Sequence, residues 1–232
     1  MGYTADQEGY AVLRRELGDF KASLPAGDQA RYPFAFEPGN RNEGFMTASQ
    51  VNYVARCGSF AGSGYAYTGA LKVLKVIMNY EYLWMNLRVK GGAYGCMSSF
   101  GRSGEGYMVS YRDPKLLKTN EIFEKSVDYT EHFDVSERDM TKYIIGTISS
   151  MDTPLNARAK GMRSLSAWMT GVTEEQVQKE RDQVLGCGVE EIRALAPYLK
   201  AMLSQNHICV IGNEEKLEGQ KQLFEVTESL FH

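Results

Sequence analysis

The sequence predicts an α+β fold in which an antiparallel or mixed sheet packs against several helices. Three observations support this class. Segments with strand character fall early in the chain and around one hairpin, most helical segments follow that hairpin, and no regular strand–helix–strand repeat is visible. The pattern amounts to roughly three or four strands and six or seven helices. At 232 residues, the chain is long enough to bury a substantial core.

Composition and charge exclude several classes of partner. The formal net charge is -3, which gives no indication of nucleic acid or anionic lipid as a partner. No apolar run approaches the ~20 residues that a membrane span requires. The four cysteines are scattered beside apolar runs without a C-x-x-C pair, which predicts reduced, buried thiols in a reducing compartment, and we expect a cytoplasmic location. These cysteines are Cys57, Cys96, Cys187 and Cys209.

The first 42 residues differ in pattern from the rest of the chain. Asp6 to Ser23 has the apolar stripe of an amphipathic helix, and Leu24 to Asn42 is a proline-containing, extended connector. We therefore expect residues 1–42 to form a helical arm and connector, and residues 43–232 to form a single α+β module. The arm resembles a linker whose other partner is missing, so we expect Met1 to be a cut rather than a natural start.

A strand and a glycine-rich segment open the module. Gly44 to Cys57 is rich in strand-forming residues. The segment from Gly58 to Gly69 invites comparison with a phosphate-binding loop, but it has no G-K-[ST] and does not fit G-x-G-x-x-G. A turn-forming loop is the alternative, and nucleotide binding stays open as a third functional hypothesis.

The most informative segment follows a long helical pattern that runs from Thr68 to Arg88. Gly91 and Gly92 predict the end of this helix, because glycine accepts the left-handed backbone of a C-terminal cap. Tyr94 then falls at the start of a strand. The arrangement places a guanidinium and a phenol on either side of the glycine pair and could direct two hydrogen-bond donors at one point. An arginine that complements the helix dipole is the structural alternative.

Beyond this segment, periodicity and capping signals predict the remaining elements. A hairpin is expected over 93–100 and 106–111, followed by helices over 117–133, 136–151, 156–170, 173–185 and 189–204, a buried strand over 207–212 and a terminal helix over 214–231.

Several of these segments carry a family resemblance. Tyr67 to Leu74 and Tyr82 to Gly95 resemble the C-terminal half of the pitrilysin/insulinase-type inverted-zincin metallopeptidases, closest to the presequence-protease branch. The similarity continues through Phe100, Tyr111–Pro114 and Ile211–Asn213. The resemblance implies four similar α+β modules, arranged as two halves that close around a chamber, with this chain as the last module. The partners that it implies are the N-terminal catalytic half of the same protein and a peptide substrate.

The zinc motif of that family, H-x-x-E-H, is absent from this chain. The three histidines are His132, His207 and His232, and no two of them have the helical spacing of the motif. We therefore expect no metal or cofactor in this chain, with Zn²⁺ held by the N-terminal half of the parent enzyme. No Ser-His-Asp or Cys-His grouping can be argued either. The isolated chain is expected to be inactive.

The resemblance assigns catalytic roles to Arg88 and Tyr94. In the family, the C-terminal half supplies an arginine and a tyrosine across the chamber, where donors stabilise the charge that develops on the substrate carbonyl oxygen. The alternative is a helix-capping arginine and a strand aromatic. Asn52 and Tyr53 are weaker substrate-binding candidates, because they could face the chamber, where a peptide is able to pair with a strand edge. Sheet packing is the alternative for both.

Our leading hypothesis is the C-terminal, non-zinc-binding module of a zinc-dependent metalloendopeptidase that degrades unfolded peptides in a closed chamber. A non-catalytic structural or peptide-binding subunit of the same fold is the runner-up. The two differ in whether the N-terminal half of the parent protein carries H-x-x-E-H.

Overall fold

The computed structural model describes residues 3–25, 27, 39 and 41–230. The chain divides into two compact units, Met1–Gly39 with Asp152–Val177, and Asn40–Met151 with Gln178–His232. The expected division into 1–42 and 43–232 stays a prediction, and most of the expected connector lies outside the described residues.

In chain order, the elements are α1 (Gln7–Ser23), β1 (Glu43–Thr47), β2 (Asn52–Ser59), α2 (Ala70–Ile77), β3 (Gly95–Phe100), β4 (Glu105–Asp113), α3 (Leu117–Glu131), α4 (Glu137–Met151), α5 (Ala157–Thr170), α6 (Glu174–Leu185), α7 (Val189–Arg193), α8 (Ala196–Ser204), β5 (His207–Asn213), α9 (Glu214–Glu218) and β6 (Val226–Ser229).

Helix starts follow the capping signals of the sequence. The Asp6 carboxylate accepts a hydrogen bond from Gly9 N at 2.7 Å before α1, and the Asn156 side chain accepts from Ala159 N at 2.9 Å before α5. Thr173 and Gln176 form the reciprocal bonds of a capping box at the start of α6. These caps satisfy amide groups that a helix leaves unpaired in its first turn.

The second unit contains a six-stranded mixed sheet in the order β3-β4-β2-β5-β1-β6. β1 pairs in parallel with β5 and β6, and the remaining neighbours are antiparallel. The α+β class is confirmed, but the expectation of three or four strands was wrong. The segment expected as one strand over Gly44–Cys57 is two strands, because a turn closed by the hydroxyls of Thr47 and Ser49 separates β1 from β2.

The terminal helix expected over 214–231 was also wrong. Only α9, Glu214–Glu218, is α-helical, and the chain then returns to the sheet as β6. β6 pairs with β1 in the register Glu43↔Val226. Pairing with a strand about 180 residues earlier outweighs the local helical pattern, as tertiary contacts often do.

The helices α2, α3 and α8 cover one face of the sheet and bury its core. Met108 of β4 and Val54 of β2 are fully buried beneath this layer, as are Phe123 and Leu199 of the helices above them. On the opposite face, alternate side chains stay exposed, as the period of a strand requires. The large apolar side chains exposed on this open face are Tyr53, Met97, Tyr107, Tyr111 and Ile211.

A buried arginine ties β2 to the helical layer. The Arg56 side chain is 1% exposed. Its guanidinium donates to Asn120 Oδ1 at 2.5 Å and to Leu203 O at 2.8 Å, and it forms a 2.8 Å ion pair with Glu124. A charge this deeply buried is tolerated only with such partners, so Arg56 joins β2, α3 and α8 in one polar network.

The cysteines are free thiols, but their burial differs from the expectation. Only Cys187 is buried, Cys96 and Cys209 are half-buried, and Cys57 is exposed on the open face. Cys57 alternates with the buried Arg56, so burying one side chain exposes the next.

We expect iodoacetamide to alkylate Cys57 first in the native protein and Cys187 last. Burial raises the pKa of Cys187 to about 12 and that of Cys57 above its ordinary value. The thiolate is the nucleophile, so the alkylation rate at Cys57 should keep rising as the pH passes 9. Mass spectrometry of tryptic peptides after timed labelling would check the order. Labelling of Cys187 before Cys57 would contradict it.

Among residues 3–25, 27, 39 and 41–230, no helix is both long and apolar enough to cross a membrane.

Candidate functional site

The helix that delivers Arg88 changes its winding before it ends. α2 continues from Ala70–Ile77 into two π-helical segments, Met78–Tyr82 and Trp84–Val89. The bond from Lys90 N to Met85 O, 3.0 Å long, spans five residues. Sequence periodicity predicted a regular helix here and missed the wider turns. π-turns often occur at functional sites, and here they lie directly before the arginine.

The glycine pair ends this helix as predicted, and a different structural constraint requires glycine at each of the two positions. Gly92 has a φ of +85°, the left-handed conformation that favours glycine. A Cβ on Gly91 would lie 2.3 Å from Leu87 O, too close for any side chain. Bonds from Gly92 N to Arg88 O and from Ala93 N to Leu87 O close the helix end. The turn between Arg88 and Tyr94 is therefore fixed by the backbone itself.

Arg88 is held between two aromatic rings. Its Cζ lies 4.5 Å from the ring centroid of Trp84 and 5.3 Å from that of Tyr94. Its Nη1 donates a hydrogen bond to the backbone carbonyl of Tyr94. The guanidinium has five N–H donors, so this bond leaves others for a ligand. Arg88 both fixes the entry into β3 and remains a potential donor.

Tyr94 lies immediately before β3 and is 55% exposed. Its ring contacts Tyr111 edge-on, with centroids 5.4 Å apart, and the Cζ of Arg112 lies 5.5 Å from its centroid. Within the part of the chain that the structure describes, no hydrogen bond is formed by the Tyr94 hydroxyl. The ring is thus contacted from several sides while its hydroxyl has no described hydrogen-bond partner.

Arg112 belongs to this cluster, and sequence reasoning gave it no role. It sits where β4 bulges against β2, since the register shifts between Asn52 and Val54, and it has a φ of +49°. A bulge inserts an extra residue and turns a strand locally, which brings the Arg112 side chain to the ring of Tyr94. A bulge depends on pairing between distant strands, so no local signal predicts it.

Asn52 and Tyr53, the two weaker substrate-binding candidates, lie in different environments in the structure. Asn52 is fully buried, and its amide bonds to Asp113 O at 3.0 Å and accepts from Asn213 N at 3.2 Å. Tyr53 is exposed on the open face, with its ring centroid 6.4 Å from that of Tyr111. Both lie on β2, an interior strand paired on both sides, so neither offers a strand edge to a peptide. A substrate-binding role for Tyr53 stays a prediction.

The edge of the sheet next to Tyr94 is covered at one residue. β3 is the outermost strand at this side, and its Ser98 N donates to Asn79 Oδ1 at 2.6 Å, while Asn79 Nδ2 donates to Ser98 O at 3.2 Å. The Asn79 amide thus occupies the backbone groups that Ser98 would offer to an added strand. These bonds hinder a peptide from extending the sheet at Ser98.

The described residues give little support for metal binding or for nucleotide binding. No group of three or more His, Cys, Asp or Glu side chains among them is arranged to hold a metal ion, so this part of the chain does not fit a zinc site. In the glycine-rich loop, Phe60 N and Ala61 N donate to Gly104 O, and Gly62 N donates to Ser59 Oγ. Those amides are therefore not available to cradle a phosphate, which weakens the nucleotide hypothesis.

The cluster formed by Trp84, Arg88, Tyr94, Tyr111 and Arg112 is hereafter called the arginine–tyrosine cluster. Chemically, it presents the phenol hydroxyls of Tyr94 and Tyr111 and the guanidinium groups of Arg88 and Arg112 on one part of the surface. Such donors suit an oxygen atom that gains negative charge, but they include no nucleophile and no general base. The cluster can stabilise negative charge on a substrate oxygen, but without a nucleophile and a general base it cannot form a complete catalytic site.

Comparison with known proteins finds a family model and relatives that match most of the chain. The family model for the PreP C-terminal domain matches residues 42–214. Protein HypA of Clostridium perfringens is 40% identical over 97% of this chain, which covers 23% of that protein. Presequence protease 1, chloroplastic/mitochondrial, of Arabidopsis thaliana is 33% identical over 98% of this chain, which covers 22% of that protein. The chain thus spans less than a quarter of the length of these relatives.

A solved structure shows the same fold at low sequence identity. The peptidase M16 inactive domain from Pseudomonas fluorescens superposes with a TM-score of 0.58 at 13% identity, covering 88% of this chain and 51% of that one. The family resemblance drawn from the segments around Arg88 and Tyr94 is therefore confirmed. The chain belongs to the family of presequence-protease (PreP) C-terminal domains.

Proposed function

We propose that the chain is the C-terminal, non-zinc-binding module of a zinc-dependent metalloendopeptidase that degrades unfolded peptides in a closed chamber. Its partners are the N-terminal catalytic half of the same protein, which holds the Zn²⁺, and the peptide substrate. The cytoplasm is the proposed location. In this proposal the chain supplies hydrogen-bond donors to the substrate and no nucleophile.

The observation that carries the proposal is the placement of the Tyr94 hydroxyl. Its ring lies beside the guanidiniums of Arg88 and Arg112, and the residue is 55% exposed with no described partner for its hydroxyl. A donor held in this way can meet a substrate carbonyl oxygen without first being reoriented. Such preorganisation strengthens the hydrogen bond most when negative charge develops on that oxygen, which is when it lowers the barrier.

Arg88 supports this role in two ways. Its bond to the Tyr94 carbonyl fixes the backbone that carries the phenol, and its remaining N–H groups face no acceptor within the described chain. The planar fork of arginine permits a second bond to a peptide carbonyl while the first is kept, whereas lysine has only a point charge. Arg88 therefore positions Tyr94 and offers an additional donor.

The open face of the sheet offers a surface for the rest of the peptide. Its exposed aromatic and sulfur-containing side chains lie beside the arginine–tyrosine cluster, since Tyr111 belongs to both surfaces and Tyr53 stacks against it. An unfolded peptide exposes apolar side chains that a folded protein buries, so such a face suits unfolded substrates. The bonds between Asn79 and Ser98 hinder pairing at that point of the sheet edge, which favours this face.

A second candidate function is a non-catalytic structural or peptide-binding subunit of the same fold. The same open face favours it, because peptide binding needs neither zinc nor a charged transition state. The sequence of the N-terminal half of the complete protein separates the two candidates. H-x-x-E-H in that half supports the peptidase, and its absence supports the binding subunit.

Arg88 variants in the full-length protein test the proposal. We expect Arg88→Ala to lower kcat for an unstructured peptide by about 10²-fold, because it removes a donor and loosens Tyr94. Arg88→Lys should restore only part of the rate, since it keeps the charge and loses the fork. Zinc content, measured by mass spectrometry of the metal, should not change. A full rate in Arg88→Ala would remove Arg88 from the site.

A further inference from the structure

A second surface on the chain lies away from the open face, between the end of the π-helical segment and α3. It is a groove of about 630 Å³. Its lining includes the aromatic rings of Tyr82 and Tyr129, together with Ile122. Four lysines, Lys90, Lys115, Lys118 and Lys125, also line it. It is hereafter called the lysine groove. None of the roles proposed above for Arg88 and Tyr94 uses it.

Lysines outnumber acidic residues in the groove lining, and two nearby carboxylates are paired with cations. Glu121 pairs with Lys118 at 2.9 Å, and Glu124 pairs with the buried Arg56 at 2.8 Å. Asp128, the acidic residue in the lining, lies 3.2 Å from the ring of His132.

The groove carries a local excess of positive charge. Among the described residues, no ion pair involves Lys90, Lys115 or Lys125, although Lys118 and, to a smaller extent, Lys125 lower the pKa of the nearby Glu121 carboxyl. The chain as a whole carries a net charge of -3, so this local excess of positive charge opposes the overall balance. An excess of one sign in a concave site concentrates ligands of the opposite sign.

The floor of the groove is apolar. The ring centroids of Tyr82 and Tyr129 lie 4.6 Å apart, and Tyr82 uses its hydroxyl to donate to Ile122 O at 2.7 Å. Burial raises the pKa of Tyr129 to about 12, so this phenol stays neutral at physiological pH. The floor therefore offers ring surface and neutral groups, while the charge lies with the lysines.

We propose that the lysine groove is a docking site for an acidic peptide segment with one apolar or aromatic side chain. Carboxylates of the segment pair with Lys90, Lys115 and Lys125, and the apolar side chain rests on the rings of Tyr82 and Tyr129. The apolar floor distinguishes this ligand from a free phosphate, which would leave the rings uncovered. The absence of arginine from the described groove lining and the net negative charge of the chain disfavour a nucleic acid.

A labelled peptide with six glutamates around a central tryptophan is the direct probe. Fluorescence anisotropy with the full chain should show saturable binding that weakens as NaCl rises, because the contacts are charged. A matched peptide with glutamines should bind at least tenfold more weakly. A peptide in which alanine replaces the tryptophan should also bind more weakly, since it cannot cover the floor.

Charge reversal at the lysines locates the binding. Lys115→Glu combined with Lys125→Glu should weaken binding of the glutamate peptide by about tenfold or more. Lys200→Glu, an exposed lysine on α8 outside the groove lining, is the matched control and should change it little. Lys115→Gln with Lys125→Gln, with circular dichroism of every variant, separates lost binding from lost folding.

Three results would overturn the proposal. The first is equal binding of the glutamate and glutamine peptides. The second is equal binding of the glutamate peptide by the charge-reversed chain and the Lys200→Glu chain. The third is displacement of the labelled peptide by inorganic phosphate or polyuridylate at a lower concentration than by unlabelled glutamate peptide. The last result would reassign the groove to a small anion or to a nucleic acid.

Discussion

Replacing Tyr94 by phenylalanine in the full-length protein should lower kcat for an unstructured peptide by about 10²–10³-fold, the usual effect of losing one donor to a developing oxyanion. KM should change little, because the hydroxyl contributes mainly when negative charge develops on the substrate oxygen. The ring contacts with Arg88, Arg112 and Tyr111 are retained in phenylalanine, so the cluster should keep its shape. Steady-state kinetics with a quenched fluorescent peptide would measure the effect.

Tyr80→Phe is the matched control for this substitution. Tyr80 is 71% exposed and lies in the first π-helical segment. Among the described residues, no contact joins Tyr80 to the arginine–tyrosine cluster. Tyr80→Phe removes the same hydroxyl oxygen as Tyr94→Phe, and we expect kcat to remain unchanged in Tyr80→Phe. If Tyr94→Phe and Tyr80→Phe behaved alike, the hydroxyl of Tyr94 would have no part in the reaction.

Replacing the buried Arg56 by alanine should destabilise the fold strongly, by about 3 kcal/mol in the free energy of unfolding. The substitution opens a cavity beneath α3 and α8 and leaves Leu203 O and Asn120 Oδ1 without their donor. Glu124 is half exposed, so water can solvate its carboxylate and limit the loss. For a chain of this size, the melting temperature should fall by roughly 6–12 °C.

Arg138→Ala provides the comparison for this effect. Arg138 is an exposed arginine on α4, and its truncation should change the free energy of unfolding by less than about 0.5 kcal/mol. Urea unfolding of both variants, followed by circular dichroism, would give the difference. A similar stability for the two variants would mean that the Arg56 network contributes no net stabilisation.

The sequence predicted the local parts of the site because local signals determine them. The glycine pair ends the helix and places Arg88 and Tyr94 on either side of one turn, as the structure shows. Capping residues likewise predicted the starts of α4 and α6. In each case, the deciding interaction lies within a few residues along the chain.

The parts that sequence reasoning missed depend on distant pairing. The return of the chain as β6 follows from pairing with β1, which no local pattern records. The bulge that brings Arg112 to Tyr94 arises from the register between β2 and β4. The Asn52 side chain is buried where it bonds to Asp113 O and Asn213 N, residues 61 and 161 positions away, so the sequence could not show its environment.

Binding of a transition-state analogue tests the central claim, the donor role of Tyr94, most directly. A phosphinic peptide resembles the tetrahedral intermediate of peptide hydrolysis, with negative charge on the oxygen that the phenol is proposed to meet. We predict that Tyr94→Phe in the full-length protein raises its inhibition constant by the same factor by which it lowers kcat/KM, about 10²–10³-fold. An inhibition constant equal to that of the unmodified protein would contradict the account.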